Sequence, residues 1–286
     1  MDNKKYKEKV EIQEKIRRVN GAMAQEGMPL TKDIKKKLYN CIIGKTTTTK
    51  EKKSLKSIEE SMDSKYKYTY EKTANYCYEG TDTLINKLNI TNDKDLFNAE
   101  RELVSFRTYE LNEKPLKGNF DFDYLKKIHK YLFQDIYRWA GNIRNCNIAK
   151  QDLFCLSEYI ETFGTDIFNK LKEENYFVYY DNELTIEKLV DLFADINALH
   201  PFREGNGRSQ RLFIESLAKI NGIYLDLTEV TKEDMIIASH ESIKGNYHKL
   251  KEIFIKYSYA LDDKEKLKYI SDYCSDELKK IILNNK

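Results

Sequence analysis

A chain of 286 residues is long enough to bury a sizeable core, and with 41% hydrophobic, 34% charged and 12% aromatic residues it is neither a disordered tail nor a membrane-embedded protein. Its 49 basic residues almost balance 47 acidic ones, and the resulting net charge of +2 gives no electrostatic case for a dedicated nucleic-acid binder. The start carries no signal-peptide-like apolar stretch, no long apolar run follows, and the five cysteines (Cys41, Cys77, Cys146, Cys155, Cys274) form no CxxC pair. Reduced thiols, a cytoplasmic location and no membrane partner are therefore expected. Only 3 prolines and 11 glycines punctuate the chain, which favours a mostly α protein.

In chain order, Val10, Ile12, Ile16, Val19, Met23 and Ala24 recur near helical spacing until Gly27 and Pro29 stop the pattern, which predicts a first helix over 6–25. Thr31 then precedes a second run with Ile34, Leu38, Ile42 and Ile43 on one face, ended by Gly44. The polar stretch 45–67 reads as a boundary with room for a short third helix at Leu55 and Ile58, so a small helical module closes near Met62. The tyrosine-rich segment 66–84 predicts an irregular or extended lead-in. Helical patterns follow at about 93–111, 122–137, 157–173, 185–199, 207–221, 231–241 and 246–258, with a charged helix at about 262–283. Between the second and third of these, 141–155 places Asn and Asp turn formers between short β-prone pieces and predicts a β-hairpin.

The chemistry concentrates between two amphipathic helices, in His200-Pro201-Phe202-Arg203-Glu204-Gly205-Asn206-Gly207-Arg208. Pro201 ends one helix, and Gly205 and Gly207 permit positive φ values that turn successive backbone N–H groups toward one point, a seat for an anion. The next helix starts near Gly207 or Arg208 and adds its positive dipole end. Arg208 and Arg211, three apart, can clamp outer phosphates. Glu204 is placed to hold Mg²⁺ on phosphate oxygens, and His200 to act as general base toward a hydroxyl attacking phosphorus. A lone His at a helix end, or a lone Gly-Asn-Gly turn, is commonplace; the whole set within twelve residues points to phosphoryl or nucleotidyl transfer.

These residues match the signature HxFx[D/E]GNGRxxR at every fixed position from His200 to Arg211, and so the chain resembles the Fic family. FDYLKKIHKYLFQDIYRWAGNIR resembles that family's lead-in to a target-docking flap, and the likeness spans roughly 80–258. The resemblance implies a Fic fold, a helical bundle with a small β-hairpin flap, and transfer of AMP from ATP, with Mg²⁺, to a Ser, Thr or Tyr hydroxyl of a protein. It implies His200 as base, Glu204 as Mg²⁺ ligand, Gly205, Asn206 and Gly207 on the α- and β-phosphates, Arg208 as the phosphate-binding arginine, Arg211 on the γ-phosphate, and Phe202 buried beneath the loop. The flap residues Asn147, Ile148, Ala149, Lys150 and Phe154 would capture the target segment by main-chain pairing. Ser239, Ser242 and Asn246 resemble the rim of an adenine pocket.

The segment Ala22-Met23-Ala24-Gln25-Glu26-Gly27 resembles the inhibitory [S/T]xxxE[G/N] motif, with Ala22 where the motif carries a hydroxyl residue, and residues 17–44 resemble the small antitoxin that partners class I Fic toxins. The implied division is an antitoxin-like module at 1–62, a Fic domain at 63–260 and a C-terminal helix at 261–286, with Glu26 pairing Arg211 where the γ-phosphate would sit. The ATPase subunit of DNA gyrase or of topoisomerase IV is the target class such toxins suggest. The competing readings are a Fic-fold transferase of UMP, phosphate or phosphocholine, and a non-enzymatic toxin–antitoxin scaffold or DNA-binding regulator. Lys50, Lys52, Lys53 and Lys56 read as a solvated face and not a nucleic-acid contact. His129, His240 and His248 lack metal-ligand spacing and read as structural or surface residues.

Overall fold

The computed structural model describes residues 3–57, 76–149 and 153–283, which form twelve α-helices and one two-stranded sheet. Contacts divide the chain into two compact units, one of Met1–Lys114 with Tyr131–Ala140 and one of Pro115–Lys130 with Gly141–Lys286.

In the first unit, α1 (Asn3–Ala24) buries Val19 and Met23, one turn apart. Its end is a Schellman motif: Met28 N–H bonds Met23 O at 3.0 Å and Gly27 N–H bonds Ala24 O at 2.8 Å, with Gly27 at φ +77°. Glu26 is thus the last residue before the reversal. Helix α2 (Lys32–Ile42) starts where Thr31 accepts the Ile34 N–H, and buries Ile34 and Leu38. Helix α3 (Thr48–Ser57) and the long α4 (Asp93–Glu113), capped by Asn92 and carrying Asp93 and Asp95 against its positive end, complete the layer.

Three lysines, one from each N-terminal helix, reach glutamates of α4: Lys15 to Glu113 at 2.7 Å, Lys37 to Glu102 at 2.7 Å and Lys52 to Glu110 at 2.6 Å. The last corrects the reading of Lys52 as part of a solvated face, because Lys52 is only 6% exposed, whereas Lys50 and Lys53 are exposed. Glu110 also accepts bonds from Thr48, Arg107 and Tyr131, and Arg107 in turn holds Asp135 at 2.7 Å. Burial opposes ionisation of Glu110, but hydrogen bonds from Lys52 and Thr48 and the charges of Lys52 and Arg107 outweigh it and hold its pKa low. Burial pushes the Lys52 ammonium down.

In the second unit, α5 (Phe122–Phe133) stops four residues earlier than the pattern suggested; its last three residues belong to the first unit, where the Ile136 carbonyl accepts the Lys87 N–H at 2.6 Å. Helices α6 (Ile160–Glu173), α7 (Asn182–Leu199), α8 (Asn206–Ile220), α9 (Lys232–Ile243) and α10 (His248–Lys256) surround an aromatic core in which Phe213 meets Phe120 and Phe168, and Phe193 meets Phe254. Asp181 and Thr231 cap α7 and α9.

A short antiparallel ribbon, β1 (Ile223–Leu225) with β2 (Ser258–Ala260), has no counterpart in the sequence pattern; each strand has three residues, too few to show a period. The expected helix over 262–283 is two, α11 (Asp263–Tyr273) and α12 (Asp276–Leu283), broken where Ser275 N–H bonds Gly118 O and Gly118 N–H bonds Tyr273 O. The expected hairpin at 141–155 reduces, among the described residues, to one antiparallel bridge between Ala149 and Leu153 and a 3.4 Å bond from Phe154 N–H to Ile148 O. Part of the tyrosine-rich stretch lies outside the described residues, as does Lys150.

Candidate active site

Helix α7 delivers His200 as its C-cap in a left-handed conformation, φ 44° and ψ 59°, with its N–H bonded to Ile196 O at 3.0 Å. A non-glycine residue there is costly unless its surroundings hold it. They do so from three directions. The ring stacks on Phe154 at 3.7 Å between centroids, its carbonyl accepts Arg144 Nε–H at 2.9 Å, and Nδ1 lies 3.2 Å from Asn197 O. A carbonyl can only accept, so Nδ1 carries the proton and, in the neutral ring, the basic lone pair falls on Nε2. Asn197 also donates its side-chain amide to Ser239 O at 3.0 Å and faces Ser242 Oγ at 3.5 Å, which ties α9 to the same turn.

The loop itself is built around Phe202 and Asn206. The Asn206 side chain accepts Phe202 N–H at 2.8 Å and donates to Phe202 O at 2.7 Å, stapling the loop across its base. Phe202, 1% exposed, stacks on His129 at 3.8 Å. His129 accepts Gly141 N–H on Nδ1 at 2.8 Å, so its proton sits on Nε2 and is donated to Glu204 O at 2.9 Å. Burial, with a smaller push from Arg208, lowers the His129 pKa to about 3, so the ring stays neutral and structural, as the sequence suggested. Gly141, at φ +87°, passes so close to α5 that a Cβ there would lie 2.8 Å from Lys130 Cβ.

Of the two glycines, only Gly205 uses a positive φ, +83°; Gly207 lies inside α8, which corrects the expectation that both would shape the turn. Helix α8 starts at Asn206 with no side-chain cap, so its positive dipole end carries the geometry that the expected anion seat requires. Glu204 Oε1 accepts Gly205 N–H at 2.9 Å and lies 3.3 Å from Arg208 Nη2, with its side chain 41% exposed. Arg208 and Arg211 are 3% and 7% exposed on the same helix. Among the described residues no group of three His, Cys, Asp or Glu could hold a metal. One accessible carboxylate beside a phosphate seat is nevertheless the donor set Mg²⁺ uses when phosphates and water complete its shell.

Residues 119–218, from α5 through most of α8, match the Fic/DOC family. The chain is 36% identical over 182 residues to the probable protein adenylyltransferase Fic of Escherichia coli (strain K12), covering 63% of this chain and 90% of that one. It belongs to the Fic/DOC family. This Fic chain is also 37% identical over 167 residues to the protein adenylyltransferase VbhT of Bartonella schoenbuchensis, covering 58% of itself and only 35% of that longer protein. The N-terminal Fic domain of a putative cell filamentation protein from Bartonella quintana, solved with bound ADP, superposes with a TM-score of 0.62 at 27% identity, over 68% of this chain and 98% of that one.

Other expected site residues are placed as follows. Asn246 is exposed in the turn before α10, where it accepts His248 N–H at 3.2 Å and reaches Glu241 Oε2 at 3.4 Å; its side chain is occupied in forming that turn. In the flap, Asn147 accepts Ser157 N–H at 2.8 Å, Ala149 is exposed, Ile148 is half-buried and Phe154 is buried against His200. Glu26 is half-buried at the end of α1, in the first unit. Sequence reasoning missed Arg144 and Asn197 as site residues. Arg144 ends the lead-in FDYLKKIHKYLFQDIYRWAGNIR, and its place at the end of that family-like run was the available signal.

Proposed function

We propose that this Fic protein is an adenylyltransferase that moves AMP from ATP to a hydroxyl of another protein. The reading rests chiefly on His200, whose imidazole is fixed with its basic nitrogen at Nε2, six residues before the uncapped start of α8. His200 Nε2 takes the proton of the acceptor hydroxyl, that oxygen bonds the α-phosphorus, and the bond to the β-phosphate oxygen breaks to release pyrophosphate. The N–H groups of Asn206 and Gly207, with Arg208 and Arg211, bind the phosphate chain, and Glu204 would hold Mg²⁺, which when bound offsets charge on the phosphate oxygens. The names of the relatives support the activity, and the ADP in the Bartonella quintana domain supports nucleotide binding.

The same reading assigns residues 1–62 as an antitoxin-like module, 63–260 as the Fic domain and 261–286 as a C-terminal appendage, in a cytoplasmic protein. Glu26 restrains the enzyme by pairing with Arg211, weakened by the missing hydroxyl at Ala22. Among the described residues, no helix is long and apolar enough to cross a membrane. The ATPase subunit of DNA gyrase or of topoisomerase IV is the target class. The test incubates the full chain and its Glu26→Gly variant with these two ATPase subunits and either α- or γ-labelled ATP. Alpha label on protein, stronger with Glu26→Gly, is expected; γ label on protein would identify a kinase and overturn the reading.

A further inference from the structure

We propose that Arg144 is a positioning residue that locks the flap and the base His200 into one rigid unit, an inference that rests on AMP transfer at this loop. Its guanidinium is 1% exposed, and its planar fork is spent on main-chain carbonyls from two separate segments. Nε donates to His200 O at 2.9 Å, and Nη2 reaches Leu199 O at 3.5 Å, both on the catalytic turn. Nη1 donates to Cys146 O at 2.7 Å and Nη2 to Cys155 O, the two ends of the flap. Its own N–H bonds Pro201 O at 2.8 Å, so the catalytic turn is gripped at three consecutive residues.

The connections close a circuit. From the His200 carbonyl the path runs through the guanidinium to the carbonyl of Cys155, through the adjacent Phe154, and by the Phe154 ring stack back to the His200 imidazole. The backbone of His200 is held in its left-handed conformation at one end of that circuit, and its ring plane is held at the other. A target segment paired to the flap would be referenced to the same guanidinium that places the base, so acceptor hydroxyl and Nε2 keep their distance. Lysine cannot replace this: an ammonium presents its donors from one point and cannot span carbonyls on both sides.

The test compares Arg144→Lys with its parent in the full-length Glu26→Gly protein, using α-labelled ATP and a cell lysate as acceptor. The initial rate at saturating ATP is expected to fall about 100-fold, as for a base displaced by about an ångström, with nucleotide affinity unchanged. The His200 imidazole NMR signals should lose the ring-current shift from Phe154, and Phe154→Ala should reduce the rate further only slightly when added to Arg144→Lys, because one circuit is already open. A transfer rate close to the parent's, or loss of rate and nucleotide affinity together, would overturn the proposal. Should Arg144→Lys not fold, Phe154→Ala alone opens the circuit from the other side, and an undiminished rate there overturns it. A parent that transfers no label refutes the adenylyl-transfer reading instead, and the His200 signals in Arg144→Lys still decide whether Arg144 places the ring.

Discussion

Glu110 and Arg144 are each the hub of a polar network, one in each compact unit, and the two networks are built from opposite materials. Glu110 gathers side chains, with the Lys52 ammonium, the Arg107 guanidinium and the Thr48 and Tyr131 hydroxyls converging on one carboxylate. Arg144 gathers main-chain carbonyls of Cys146, Cys155, Leu199 and His200. A carboxylate hub fastens helices whose own faces are too polar to pack by burial alone: α3 is TTKEKKSLKS and has little else to offer α4. A carbonyl hub sets backbone conformation, which is what a strained catalytic turn requires. Charge pairing is thus used where elements must be attached, and neutral acceptors with aromatic stacking where atoms must be placed.

Four changes probe this contrast, in descending order of effect. Glu110→Leu strands the buried Lys52 charge and leaves Arg107 with Asp135 alone, and should cost about 3–5 kcal/mol in denaturant unfolding. Acidification acts on the second unit through His129, whose folded pKa of about 3 lies below its ordinary 6.5. Between those values the unfolded chain binds the proton and the folded chain does not, so stability falls as pH drops. Roughly 2 kcal/mol should be lost from pH 6.5 to 4.5, and His129→Gln removes that contribution in pH-dependent melts. Asn206→Ala removes both bonds to the buried Phe202 backbone and should cost roughly 1–3 kcal/mol, with a matching loss of nucleotide affinity by calorimetry. Lys15→Ala breaks a partly exposed pair and should cost under about 1 kcal/mol, vanishing in 1 M salt. A salt-sensitive Asn206→Ala, or a Lys15→Ala effect that survives high salt, would erase the distinction between charge pairing and neutral hydrogen bonding.

The same contrast explains what could be read from the chain alone. Helices α4, α6 and α7 and the motif from His200 to Arg211 were legible because apolar spacing and a dense set of reactive residue types carry local information. Lys52 was misread as solvated because only tertiary structure shows Glu110 waiting for it. Gly207 was given a turn role because two glycines flank Asn206, whereas one left-handed residue suffices and the helix dipole begins at once. The break at Cys274 follows from pairing with Gly118, more than 150 residues away in sequence. Arg144 escaped notice for the same reason: its partners are carbonyls, which every residue has, so no side-chain pattern announces them.

The central claim, that His200 is the base of an AMP transfer whose phosphate seat is built independently of it, is tested most directly by His200→Ala in the Glu26→Gly protein. The variant should bind ATP with parental affinity and keep its melting temperature while transferring no α-label to protein, a loss of at least about 10³-fold. Continued transfer of α-label by the folded His200→Ala protein would contradict the claim.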